Sequence, residues 1–311
     1  MVFTNKFVNR FTREQIYQLL DYFLIENVTY DRRRRYKPTP EFSICVILYF
    51  LAYPSRQYEA QRIFGRSASY LSIVFNTNLR YLNSRYRTIL DWHPILTYNG
   101  MKSYADKLEL ASSRTSRIFG FLDGTFREIC RPIRDQDLYY SGYYRAHGVK
   151  FQAIVAPDGL ILSYCGPFMG RVHDVIMYNR SQIPEKLRQI MSHQEPLFLY
   201  GDSAYESCYR VITPYKQTRP LLDQEIQFNK ALSSDRISVE QAFGKVASQF
   251  AANQYKGFHR ALLQPIAFYY RISVLLTNCH TIFNGNAISR RYRIEPLSLD
   301  EYLIPGTVDL L

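Results

Sequence analysis

Apolar residues along the chain follow two periods. Near the N-terminus, Ile16, Leu19, Leu20 and Phe23 repeat at helical spacing behind Thr12-Arg13-Glu14-Gln15, a capping-box signature, so a helix is expected there. Residues 41–53 are apolar enough for the central helix of a small bundle. Residues 56–65 read as a short helix closed by Gly65, and Ser67 opens another. Further on the period shortens. Residues 118–122 form an apolar run into Asp123-Gly124, as expected of a buried strand that delivers an acid to a sheet edge and then turns. Residues 149–155 and 160–164 read as two strands around the turn residues Pro157-Asp158-Gly159. A run at 196–200 ends in Gly201-Asp202. Val239, Phe243, Val246 and Phe250 then mark the inner face of a helix carrying Glu240, and residues 261–283 a buried closing helix.

This order predicts an all-α N-terminal domain (1–110), an α/β domain (111–290) and a C-terminal tail (291–311), with a hinge at 90–105. Strand, strand, strand, helix, strand and helix is the chain order of the ribonuclease H-like mixed sheet flanked by helices. In that architecture the first and fourth strands are neighbours, which places Asp123 beside Asp202. Two strand-end acids and one on the rim of a packed helix suit hard divalent cations that take oxygen ligands. Two such ions, Mg2+ or Mn2+, would serve an in-line phosphodiester displacement. For Asp123 alone, a turn residue bonded to its own backbone is the competing reading.

Charge narrows the partner. The 311 residues carry a formal net charge of +12, which favours a polyanion such as DNA. A membrane is disfavoured, because Arg271, Asn278 and His280 interrupt the longest apolar stretch. Five scattered cysteines without zinc spacing point to a reducing compartment. The 27 tyrosines read as a Tyr-rich core and surface rather than as a base-stacking set. The basic run at 31–37 is equally a phosphate grip, a nuclear address or a solvated loop.

The short helix, glycine turn and Ser-capped helix outline a helix-turn-helix, with Arg66, Ser67, Ser69 and Tyr70 at the start of a recognition helix. An ordinary helical hairpin with Ile63, Leu71 and Val74 in its core is the alternative. His173 and Asp174 are candidates for groups behind the metal ligands, with helix capping by Asp174 the slightly favoured reading. Arg145 and Lys150 are candidate phosphate contacts. Arg236, four residues before Glu240, shares its helix face and is placed to pair with it or to meet a phosphate.

Five ordered stretches also resemble the PIF/Harbinger-type DDE transposase nucleases: Leu122-Asp123-Gly124-Thr125, Tyr140 to Gln152, Gly170-Arg171-x-His173-Asp174, Gly201-Asp202-x-Ala204-Tyr205 and Arg236-x-Ser238-Val239-Glu240. The resemblance implies a DDE endonuclease with Asp123, Asp202 and Glu240 as catalytic metal ligands. It also implies action on DNA in the nucleus, an N-terminal helix-turn-helix and a separate Myb-like DNA-binding partner; whether the chain forms a homo-oligomer is left open by the sequence. The alternative is a domesticated, catalytically silent DNA- or protein-binding derivative. The chain departs from these relatives at Gln241 and at Val246-Ala247-Ser248, where they carry cations.

Overall fold

A computed structural model describes residues 10–30, 37–112, 117–216, 219–260 and 264–303. The basic run at 31–36 lies outside the described residues, as do residues 113–116 of the expected domain junction and 304–311 of the expected tail. The helical N-terminal region comprises α1 (Arg13–Phe23), α2 (Pro40–Ala52), α3 (Gln57–Phe64), α4 (Ala68–Asp91) and α5 (Tyr98–Ser112). The rest holds β1 (Ile118–Glu128), α6 (Gln136–Tyr139), β2 (Tyr140–Ser141), β3 (Ala146–Val155), β4 (Ile161–Met169), α7 (Asp174–Arg180), α8 (Ile183–Ile190), β5 (Phe198–Tyr200), β6 (Val211–Ile212) and α9 (Asp223–Gln249). It closes with α10 (Ile266–Asn284), α11 (Ala287–Tyr292) and α12 (Leu299–Tyr302).

Local chemistry sets the helix starts. Thr12 Oγ1 accepts from the Gln15 amide at 3.3 Å while Gln15 Oε1 accepts from the Thr12 amide at 2.9 Å, which completes the capping box of α1. Residues 43–52 of α2 are buried without interruption, as a helix surrounded by others requires. α4 buries Leu71, Val74, Leu79, Leu82 and Leu90 and packs on α2, α10 and β4.

The sheet runs β4-β3-β1-β5-β6, with β2 paired only to the first residues of β3. β1 is antiparallel to β3, with Phe121 opposite Val155 and Glu128 opposite Gly148, and parallel to β5, with Phe121 level with Tyr200. A central first strand, two antiparallel strands in succession on one side and the short parallel β5 on the other make this a ribonuclease H-like fold. β1 does not turn at Gly124, as the Asp-Gly pair suggested; it continues paired to Glu128, because the ladder to β3 outweighs a local turn preference.

The stretch expected as a hinge is packed instead. His93 is fully buried; its backbone N–H donates to Leu162 O of β4 at 2.8 Å, and its ring stacks on Tyr302 at 5.0 Å. From α10, Asn278 bonds both the N–H and the C=O of Ile161 at 3.0 and 2.8 Å. Arg271, also on α10 and buried, donates to Asp91 at 3.0 Å and Asn83 at 3.2 Å of α4. Among the described residues no helix is long and apolar enough to cross a membrane.

Fully buried Asp158 in the β3–β4 turn accepts from the Leu160 amide at 2.9 Å and from the Tyr104 hydroxyl at 2.7 Å. Burial pushes its carboxyl up to about 6, against the pull of these two bonds. Between about pH 4 and pH 6 the folded chain therefore binds more protons at this site than the unfolded chain, and stability falls as pH rises through that window. In urea unfolding, Asp158→Asn is expected to gain on the wild type across that window by on the order of 3 kcal/mol, with a constant difference above it. A pH-independent difference between the two proteins contradicts this.

Candidate active site

Strand alternation assigns the faces of β1. Phe121 stacks on Tyr292 of α11 at 6.0 Å, and Arg127 donates to the Tyr270 hydroxyl of α10 at 3.1 Å. Asp123 shares their parity and so lies on the face that carries the C-terminal helices, with α9 packed on β1. Asp123 lies two residues past Phe121 within β1, and Asp202 two residues past Tyr200, just beyond the end of β5. Both carboxylates are near enough to act on the Tyr205 phenol, which places them at the same end of the sheet. A backbone N–H orients each carboxylate: Gly124 donates to Asp123 Oδ1 at 2.8 Å, and Ala204 to Asp202 Oδ1 at 2.9 Å. Asp202 thereby caps the short helical turn Ser203–Tyr205.

The opposite face of β1 opens at Gly124. A Cβ there would come within 3.2 Å of Met177 Cε, 3.4 Å of Tyr205 Oη and 3.5 Å of Asp174 Oδ1. Close approach of α7, rather than a turn, accounts for this glycine. Asp174 is not the helix cap that the sequence favoured. His173 holds the N-cap position with an exposed side chain and makes no capping bond, while Asp174 begins the helix proper. Its Oδ1 accepts from Lys150 Nζ at 3.1 Å, both side chains being largely shielded. Lys150 is thus an internal partner of an acid rather than an outward phosphate contact. Beside them, buried Gln152 donates to the Tyr205 hydroxyl at 2.9 Å. Burial first, then the negative field of Asp174 and of Asp123 and Asp202, holds the Tyr205 phenol well above its ordinary range, so it stays neutral. Three acids thus gather around one end of the sheet, and the third of them, Asp174, is the one for which the sequence slightly favoured a helix-capping role.

Glu240 comes from α9, whose Ala242, Phe243, Val246 and Ala247 are buried while Glu240 itself is exposed. The inward positions of Val246 and Ala247 explain why cations are missing there: a charge at either would be buried. Arg236 falls in the part of α9 whose side chains lie outside the described set. Among the described residues no three His, Cys, Asp or Glu side chains form a metal-binding group. The donor chemistry at the paired strand acids, carboxylate oxygen on both, fits a hard divalent cation, with the remaining ligands to come from elsewhere.

The candidate DNA-reading residues surround the α3–α4 turn. Gly65 ends α3 at φ 61°, and Ser67 Oγ accepts from the Tyr70 amide at 3.3 Å. Arg66, Ser67 and Ser69 are exposed, and the Arg66 guanidinium lies 5.6 Å over the Tyr70 ring. Leu71 and Val74 enter the core, whereas Ile63 stays 40% exposed, so the plain-hairpin core holds only in part. Arg145 is exposed at φ 51° where the chain enters β3.

Comparison with known proteins identifies the family. Residues 122–278, which include all four of these acids, match the family described as DDE superfamily endonuclease. A relative described as a probable transposase for insertion sequence element IS702, from Microchaete diplosiphon, is 24% identical over 181 residues, covering 56% of this chain and 63% of the relative. No solved structure matches. With just over half of its 311 residues inside the family match, the chain belongs to the DDE superfamily endonucleases.

Proposed function

We propose that the chain is a transposase-type DNA endonuclease dependent on divalent metal, Mg2+ or Mn2+, with Asp123, Asp202 and Glu240 as its catalytic ligands. The observation that carries this reading is the placement of Asp123 on β1 and of Asp202, two residues past the end of the parallel neighbour β5, at one end of the sheet, each carboxylate steered by a backbone N–H. A pair of such ions, when bound, supplies an activated water and neutralises the leaving oxygen of an in-line displacement. The protein's own part is positioning. Asp123 and Asp202 present oxygen ligands from a rigid sheet, and α9, packed on the same face of β1, carries Glu240 as the third. Lys150 offsets the charge of Asp174 and keeps that acid in place behind the pair.

DNA as substrate is supported by the net charge of +12 and by the exposed Arg66, Ser67, Ser69 and Arg145. Tyr70 backs Arg66 in that set. Assembly with a Myb-like DNA-binding partner, self-association and nuclear action belong to the same proposal.

Supercoiled plasmid nicked in Mg2+ or Mn2+, and left intact in EDTA, is the expected result with the wild type. Asp202→Asn is expected to slow nicking at least about a hundredfold, since loss of a ligand costs no less than loss of a group behind one. DNA bound but never cut with either metal, or cut equally well by Asp202→Asn, would favour a catalytically silent DNA-binding derivative.

The third ligand is tested separately. Glu240→Gln is expected to match Asp202→Asn, whereas Asp174→Asn is expected to retain cleavage reduced about 10- to 100-fold. The reverse ranking in the same assay transfers the ligand role to Asp174.

A further inference from the structure

Most large aromatic side chains here are core residues, with Tyr164, Tyr178, Tyr205, Tyr270 and Tyr302 fully buried. The stretch between α6 and β3 is different. The Tyr144 ring lies face to face on Phe126 of β1, with centroids 4.2 Å apart and planes within 7°. Tyr143 meets Tyr144 edge-on at 4.8 Å and is 88% exposed.

The backbone is thinned to seat this stack. A Cβ at Gly148 would come 2.2 Å from Phe126 Cζ, so glycine there leaves the Phe126 ring its place, while a Cβ at Gly170 would meet the carbonyl oxygens of Tyr139 and Gly148 at 2.4 and 2.7 Å. Phe126 is two residues beyond Gly124 on the same face of β1, one pleat repeat of about 7 Å from the opening at Asp174. The field of Asp174, Asp123 and Asp202 reaches the Tyr144 phenol, which burial and these charges together raise. Exposed Arg131, Arg134, Arg145 and Arg171 lie along the same stretch and the neighbouring end of β4. A rigid aromatic stack with an open outer ring, exposed cations along the same stretch and Asp174 one pleat away has the composition of a surface for nucleobases.

We propose that Tyr143, backed by Tyr144 and Phe126, stacks an unpaired nucleobase next to the phosphodiester to be cut. The preferred substrate is then DNA with a splayed or single-stranded nucleotide at the cleavage position, not a continuous duplex. This rests on the nuclease reading above and adds the form of the substrate. Unstacking a base costs least where it is already unpaired, and an aromatic face accepts any base.

Equilibrium binding in Ca2+ tests it with the full chain. The probes are a blunt duplex and the same duplex with a short unpaired tail carrying 2-aminopurine. Wild type and Tyr143→Phe are expected to bind the tailed DNA about tenfold more tightly than the blunt one and to quench the 2-aminopurine emission. Tyr143→Ala is expected to lose both the preference and the quench while binding blunt duplex as the wild type does. Equal preference and quench in Tyr143→Ala overturn the stack, as does a wild type that does not distinguish the two DNAs. Nicking of plasmid in Mg2+ by the same preparation then leaves the nuclease reading standing. No binding of either DNA, with no nicking, overturns both.

Discussion

The parallel pairing of β1 with β5 is the constraint on which the rest of the structure depends. Two parallel neighbours cannot be joined by a tight turn, so the chain between them must leave the sheet and return. It does so through the β3–β4 hairpin, α7 and α8, and α7 packs against β3 and the Ser203–Tyr205 turn beside the acids. The register sets Phe121 level with Tyr200, two residues before Asp123 on β1 and two before Asp202, which follows the end of β5. A slip of one residue would send one of the two acids to the opposite face.

The helices hold that register from outside. β4, on the edge beyond β3, is gripped by Asn278 of α10 through both backbone groups of Ile161, and by the His93 amide at Leu162. α10 is tied in turn to α4 by buried Arg271, whose guanidinium spans Asp91 and Asn83. Removing Asp91 would leave the buried guanidinium without its counter-charge, which costs more than the pair contributes, whereas Asp91 itself stays partly in water. These polar bonds fix which turn of α4 meets which turn of α10, where apolar packing alone would tolerate sliding. Polar residues that the sequence offered only as arguments against a membrane span thus have a positive structural role.

Elements whose cause is local were legible in the sequence. The capping box before α1, the Ser67 cap of α4, the Pro157-Asp158-Gly159 turn and the uninterrupted apolar run of α2 each act within a few residues, and each was read correctly. The order of strands and helices was enough to anticipate that β1 and β5 are neighbours. Positions decided by partners far along the chain were not legible. Asp174 looked like a cap because acids favour helix starts, and only the fold brings Lys150 to within 3.1 Å of it. Gly124 looked like a turn residue, since no local signal announces the approach of Met177 and Tyr205 across the sheet. Tyr143 was hidden among 27 tyrosines, and burial alone separates it from the core set.

The Asp123-Gly124 pair shows how one strand serves two faces. Successive side chains alternate, so Asp123 carries charge to the side of α9, and Gly124, having no side chain, opens space on the other for α7 to bring Asp174 close. A Cβ at 124 would meet Met177 Cε at 3.2 Å, so little room is left for a side chain between β1 and α7. Gathering three carboxylates at one sheet end is unfavourable for an isolated chain, because like charges repel and partial burial strengthens the repulsion. Lys150 offsets one of the three, and two backbone N–H groups partly offset the others. What remains is a negative focus on a chain whose net charge is +12, with the cations spread over the surface around it. A polyanion is drawn to such a surface but repelled from its centre, and a cation seated between the two removes that conflict.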